Sequence, residues 1–387
     1  MKDNKPTNSD NFFDNYSVSK HDTLPYSKQL EDKQTYVERL FSRINYSNVL
    51  PIVKNPKPQY YRHKIILSCT NVKMGKSYQI RLGLFTEGTR NIKPGIKHVI
   101  HDSLLNEYLE KLEKIFIKSK LTAATRFENK GVLKHVWIRK SYATDEIMLV
   151  LVTKSTLLPN SKELVKEIIS SCPKIKTIIQ NIQPIETPVV LGKQDKILYG
   201  DGHITDKINE LNFRLSYKSF YQVNPYQMFK LYDFALTSAN ILKTDIILDC
   251  YSGIGTITLL ASLKAKEVIG IEVNKDATKD SLYNKQKNNI SNAVFVNGDV
   301  EQIISELDSK VDLLILDPTR DGATVKFLDS VLELKPKKVL YISCDPNTQV
   351  RDLKLLLNDY NISLVQPFDM FSYTQHVEVV VVLERKD

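Results

Sequence analysis

"TDIILDCYSGIGTITLLASL", residues 244–263, decides the fold. The apolar run up to Cys250 reads as a buried strand, too short and too β-branched for a helix. Gly253 and Gly255 then turn the chain, and the apolar run that follows suits a helix. The same rhythm continues downstream. "EVIGIEVN" (267–274), "AVFVNGD" (293–299), "VDLLILDPTRDG" (311–322) and "KKVLYISCDP" (337–346) are strand-like, and each precedes a helical segment. Five βα units predict an open, mostly parallel α/β sheet with helices on both faces. "ISLVQPFDMF" (362–371) and "HVEVVVVLER" (376–385) have no helix between them and predict an antiparallel edge hairpin.

Upstream, the pattern differs. Residues 1–30 are polar and predict a disordered tail. Residues 31–212 mix the helical "KQTYVERLFSRI" (33–44) and "SLLNEYLEKLEKIFIKSK" (103–120) with strand-like runs such as "YYRHKIILSCT" and "EIMLVLVTK". They predict an α+β domain, with residues 213–387 forming the βα domain. The chain of 387 residues carries a net charge of +9, and residues 51–140 hold 19 Lys and Arg against 6 Asp and Glu. A basic front region of this kind suits a polyanion such as RNA.

Other classes are disfavoured. No apolar stretch reaches the length of a membrane span, and the first twenty residues lack a signal-peptide core, so a cytoplasmic protein is expected. Cys69, Cys172, Cys250 and Cys344 stand far apart, so no metal or redox CxxC pair exists and a reducing compartment fits.

Ligands of such sheets bind at the carboxyl ends of the strands. Asp249 precedes the glycine turn and Glu272 ends the second strand, where an acidic residue can hold two ribose hydroxyls. Thr258 replaces the third glycine of a dinucleotide fingerprint, and with Asp249 before the turn and Glu272 at the next strand end the pattern fits S-adenosyl-L-methionine (AdoMet) better than NAD. Asp299 and Asp317 end the third and fourth strands. Asp299 could meet an adenine amino group, or simply cap the next helix.

Five segments in order carry a resemblance: "SFYQVNPYQM" (219–228), "DCYSGIGTIT" (249–258), "LDPTRDGA" (316–323), "YISCDPNTQVRDL" (341–353) and "HVEVVVVLER". Together with "YYRHK" (60–64), they resemble the AdoMet-dependent RNA uracil-C5 methyltransferases over about residues 35 to 387. The resemblance implies a Rossmann-like class I methyltransferase domain behind an RNA-binding region. It implies cofactor contacts at Gln222, Tyr251, Glu272 and Asp317, with Phe220 and Asn224 shaping the pocket, and Thr256 and Asp299 join them as candidate cofactor contacts. Cys344 would be the nucleophile and Glu378 the base that removes the C5 proton.

Such chemistry needs both residues. Uracil C5 is a poor nucleophile until a thiolate adds to C6, and the adduct resolves only when C5 loses its proton. The helix start after Cys344, with Arg320 or Arg351 nearby, would lower the thiol pKa. Asp345, Thr319, Ser252 and Thr256 depart mildly from the family pattern. Cys69 and Cys172 cannot supply an iron–sulfur cluster, and no metal is expected. The polar first 50 residues do not suit the β-barrel that some branches carry. A tRNA substrate is therefore favoured, a T-loop uridine first and a 23S ribosomal RNA uridine second, for a protein expected to act as a monomer. The competing reading is a catalytically silent RNA-binding protein or chaperone on the same fold. Cys344, Glu378 and Gln222 argue against it, because binding alone needs none of them.

Overall fold

The computed structural model describes residues 23–86, 89, 91–124, 131–187, 189–307 and 310–387. Most of the tail expected to be disordered lies outside these residues. Its final residues are ordered, because helix α1 (Tyr26–Phe41) begins there, with Gln29 and Leu30 buried.

The described chain groups into two compact units. Gln59–Lys207 and Leu215–Lys218 form the first; Thr23–Pro58, Ile208–Arg214 and Ser219–Asp387 form the second. The partition differs from the expected 31–212 front domain mainly at its start, because residues 31–58 group with the second unit; near 212 the chain passes between the units, with Ile208–Arg214 in the second and Leu215–Lys218 in the first. Val37, Leu40 and Phe41 of α1 bury in the core of the βα unit. The segment after α1 runs along the last sheet edge, where Leu50 N donates to Val365 O and Val53 N to Pro367 O. An otherwise open strand edge is thereby covered.

The first unit holds β1 (Lys64–Met74), β2 (Ser77–Phe85), β3 (Ile92–Pro94), α2 (Ser103–Lys118), β4 (Leu133–Lys140), β5 (Ile147–Thr153), α3 (Ser161–Ser171), β6 (Ile175–Ile182) and β7 (Gln194–Tyr199). The strands form one sheet in the order β3-β2-β1-β4-β5-β6-β7. All pairs are antiparallel except β5 with β6. Alternate residues such as Ile65 and Leu67 of β1 and Leu82 of β2 share a core with Leu109 and Phe116 of α2 and Ile168 of α3. This is the period-2 signature of a sheet with one helix-covered face. β8 (His203–Ile208) and β9 (Leu211–Ser216) form a separate ribbon.

The second unit continues with α4 (Pro225–Ser238), β10 (Ile246–Cys250), α5 (Thr256–Ser262), β11 (Glu267–Glu272), α6 (Lys275–Lys287), β12 (Ala293–Asn297) and α7 (Val300–Ser305). β13 (Leu313–Leu316), α8 (Val325–Leu334), β14 (Lys338–Ser343), α9 (Pro346–Leu356), β15 (Tyr360–Phe368) and β16 (Glu378–Arg385) complete it. The strand order is β12-β11-β10-β13-β14-β16-β15. The first five strands are parallel, and the last two are antiparallel. All five expected βα units and the final hairpin are present. The strand order reverses between β10 and β13, so their carboxyl ends open the crevice where such sheets take ligands.

Candidate active site

At the end of β10 the chain must turn sharply into α5. Tyr251 (φ 65°), Gly253 (φ 56°) and Gly255 (φ 83°) adopt left-handed backbone to do so. Gly255 is required twice over, since a Cβ there would stand 2.5 Å from Phe295 Cζ. Glu272 braces the turn from β11. Its Oε2 accepts from Gly253 N at 2.9 Å and its Oε1 from Asn274 N at 2.7 Å. Thr258 Oγ1 donates to Asp249 Oδ2 at 2.5 Å.

A cavity opens over this turn. Its walls include Phe220, Tyr232, Asp249, Tyr251, Thr256 and Asp317. These residues fit AdoMet. Beyond Gly253 the space is open for 4 Å, leaving room for a ligand against the backbone. Ser252, another wall residue, has a buried hydroxyl with no hydrogen-bond partner among the described residues. Asp249 and Asp317 bring two carboxyl groups to the same wall.

Cys344 follows β14, and Glu378 opens β16. The β14–β16 ladder runs to Ser343↔Val379, so Cys344 and Glu378 face each other one step further on. Two devices hold that end of the ladder. Gln349 of α9, fully buried, donates from Nε2 to Tyr341 O at 3.1 Å and Val379 O at 3.2 Å, tying the two strands together. Asp345 caps α9 by accepting from Asn347 N, and Pro346 occupies the first turn, where its missing N–H costs nothing. Cys344 is partly buried. Glu378 is 1% exposed, and its Oε2 has no hydrogen-bond partner among the described residues.

The charges crowd together. Burial pushes the Cys344 thiol well above its ordinary value; Glu378 and Asp317 add to the rise and Arg320 opposes it. Burial, then Asp317, raises Glu378 well above the carboxylate range. Asp317 rises to about 7 through burial and the neighbouring Asp249. Asp249 also reaches about 7, mainly through burial, with hydrogen bonds from Thr258 opposing. The expected lowering of the thiol pKa is therefore corrected: desolvation and three nearby carboxyls, those of Glu378, Asp317 and Asp345, outweigh one cation and a helix start. Arg351 is engaged elsewhere, donating to Asp352, Asp321 O and Ala323 O. Arg320 stays close, 2.6 Å from His376 Nδ1 and 3.4 Å from Asp345.

Tyr251, Thr256 and Asp317 thus come together around the cavity. Gln222 is buried just before α4, beside the Tyr232 hydroxyl. Glu272 directs both oxygens at backbone amides. Asp299 is exposed and caps α7 by accepting from Glu301 N, the alternative role its position allowed. Tyr232 is a site residue the sequence did not single out. Its phenol is surrounded by Asp317, Gln222, Glu378 and Asp249, and burial with these charges raises its pKa. In the sequence it is one more apolar position of a buried helix, so no signal marked it.

A reversed parallel sheet, a glycine turn and an acidic cavity at its carboxyl edge define a class I methyltransferase. Comparison with known proteins narrows the class. The sequence pattern of the tRNA (uracil-5-)-methyltransferase family matches residues 25–386, and the chain belongs to that family. It is an AdoMet-dependent RNA methyltransferase of the uracil-5 type. An uncharacterized RNA methyltransferase of Oceanobacillus iheyensis is 36% identical over 372 residues, covering 94% of this chain and 80% of its own. One from Lactobacillus johnsonii is 37% identical over 370 residues, covering 94% and 81%. The crystal structure of Pyrococcus abyssi tRNA (uracil-54, C5)-methyltransferase in complex with S-adenosyl-L-homocysteine superposes with a TM-score of 0.76. Its identity is 26%, over 93% of this chain and 84% of that one. Among the described residues no helix is long and apolar enough to cross a membrane.

Proposed function

We propose that the protein methylates C5 of a uridine in the T-loop of tRNA, with Cys344 as nucleophile and Glu378 as base. The observation that carries this reading is the placement of a thiol and a buried carboxyl on facing ends of neighbouring strands, beside Asp317. The tRNA assignment draws support from the family and from the substrate in the name of the Pyrococcus abyssi enzyme. The contiguous basic segment 51–140 supports RNA binding through phosphate contacts, mostly by the first unit.

Bound AdoMet supplies an electrophilic methyl group on a sulfonium. The chain's residues do the rest. Cys344 adds as thiolate to C6 of the uracil, and Arg320 is the cation that favours this form. Addition turns C5 into an enolate carbon able to take the methyl. Glu378 then accepts the C5 proton. The electron pair of that bond rebuilds the C5–C6 double bond, the C6–S bond breaks, and sulfur leaves as thiolate. A carboxyl with a raised pKa is a stronger base once ionised, which suits the removal of a carbon-bound proton. Residues Gln222, Tyr251, Thr256, Glu272 and Asp317 are proposed to hold the cofactor. Asp299 would do so only by turning a carboxyl that also caps α7.

The test is incubation with labelled AdoMet and unmodified RNA, separated into tRNA and ribosomal RNA. The expected product is 5-methyluridine in the tRNA fraction. Label confined to ribosomal RNA would move the substrate. Label on cytosine or on amino nitrogens would overturn the reading.

A further inference from the structure

Helix α1 stands outside the five βα units, yet it carries a charge into the interior of the second unit. Lys33 is 4% exposed, and its Nζ lies 2.6 Å from Oδ1 of the equally buried Asp369. The same Nζ donates to Phe371 O at 3.0 Å. Asp369 Oδ2 accepts from Tyr26 OH at 2.7 Å and from Ser372 Oγ at 2.6 Å. Gln29 Oε1 accepts from Tyr373 N at 2.7 Å. All these contacts fall on residues 369–377, the loop between β15 and β16. That loop closes on the pair Phe368↔Glu378. From its other side, Asn224 Nδ2 donates to Met370 O at 2.8 Å, joining the loop to the segment that carries Gln222. The helix also reaches the other strand end, since Tyr36 OH accepts from Asn347 beside the α9 cap.

A buried ion pair is poor evidence for stability, because apolar replacements of similar volume are often as stable or more so. What it adds is direction: a carboxylate gripped by three donors has one position, whereas apolar side chains slide. Glu378 needs such help. Its Oε2 has no hydrogen-bond partner among the described residues, so its aim follows from packing and from the backbone that carries it, which begins where the loop ends.

We propose that Lys33 and Asp369 are positioning residues for Glu378, holding the 369–377 loop so that the carboxylate meets the C5 proton of the methylated adduct. This rests on the reading of Cys344 and Glu378 given above. When the loop shifts, addition and methyl transfer still occur, but Glu378 takes the C5 proton slowly. The C6–S bond then persists, and protein stays joined to methylated RNA.

The experiment compares the wild type with the double variant Lys33→Met/Asp369→Asn, which removes both charges but keeps volume and an acceptor for Tyr26. Each is run with AdoMet and unmodified tRNA, and the bonded fraction is read on a denaturing gel beside kcat, KM and Tm. The expected result is a kcat about 10- to 100-fold lower, since small misplacements of a reacting group cost that much. The apparent KM for RNA should fall along with kcat, leaving kcat/KM within about threefold, as when a step after methyl transfer limits turnover and its covalent intermediate builds up. The methylated adduct should accumulate. A merely structural pair would lower Tm and active fraction without raising the adduct fraction, and that result overturns the proposal. If the double variant fails to fold, Tyr26→Phe decides, since it removes one donor from Asp369 and leaves the ion pair. Glu378→Gln is the control. If it does not trap the adduct, the reading of Glu378 has failed; if it traps and the pair variants do not, only the positioning role has.

Discussion

Cys344 and Glu378 face each other across a strand pair, and substitution separates their proposed roles. Cys344→Ala should bind AdoMet and RNA but give neither product nor a covalent species. Glu378→Gln should still add and transfer methyl, then remain bonded to its RNA, visible as a band on a denaturing gel. Normal turnover by Cys344→Ala would make the cysteine a packing residue. Asp249 offers a different measurement. Its folded pKa of about 7 exceeds an unfolded value of about 3.9. The folded state therefore binds more protons between those values, and the associated stability is full below the lower one and lost through the upper. Thermal melts of the ligand-free protein should show Tm falling between about pH 4 and 7, and Asp249→Asn should reduce that fall, Asp317 keeping a share of it. An equal slope in the variant would show that Asp249 does not titrate there.

Among the elements, the β10–α5 turn makes the sharpest demand on sequence. At Gly255 the backbone is left-handed and Phe295 leaves no room. Gly255→Ala should cost roughly 1–3 kcal/mol of stability, because backbone strain and overpacking add. Gly253 is also left-handed, but its missing Cβ would enter the open space of the cavity. Gly253→Ala should cost about 1–2 kcal/mol from strain and weaken AdoMet further by occupying ligand space. Denaturant midpoints and equilibrium titration with AdoMet separate the two effects. If both variants lost stability and affinity in the same ratio, the cavity would not be where the cofactor lies.

For the molecule as a whole, charge is divided between the units. The hairpin tip of β1 and β2 shows how the first unit presents it: Lys73 and Lys76 are exposed, with Met74 at 52% and Tyr78 at 61%. Binding to tRNA should weaken steeply with salt, log K falling by roughly 0.7 to 0.9 per phosphate contact for each tenfold rise. Lys73→Glu/Lys76→Glu should lower that slope and the RNA affinity while leaving AdoMet titrations unchanged. A flat salt response would remove the first unit from RNA binding.

Much of the fold was legible because it is written locally. Strand, turn and helix follow from residue pattern within some twenty positions, so the five βα units and the edge hairpin could be read directly, as could the glycine turn and the strand-end acids. Ordered motifs then pointed to Cys344 and Glu378. What the sequence could not contain was the environment those residues meet. Burial and three neighbouring carboxyls reverse the expected direction of the thiol pKa, and Arg351 turns away to Asp352. Asp299 caps a helix, and Tyr232 enters the site from a helix that reads as plain core. Most distant of all, Lys33 grips Asp369 across 336 residues of chain. Electrostatics depend on distance in space and on exclusion of water, and neither is a function of position along the chain.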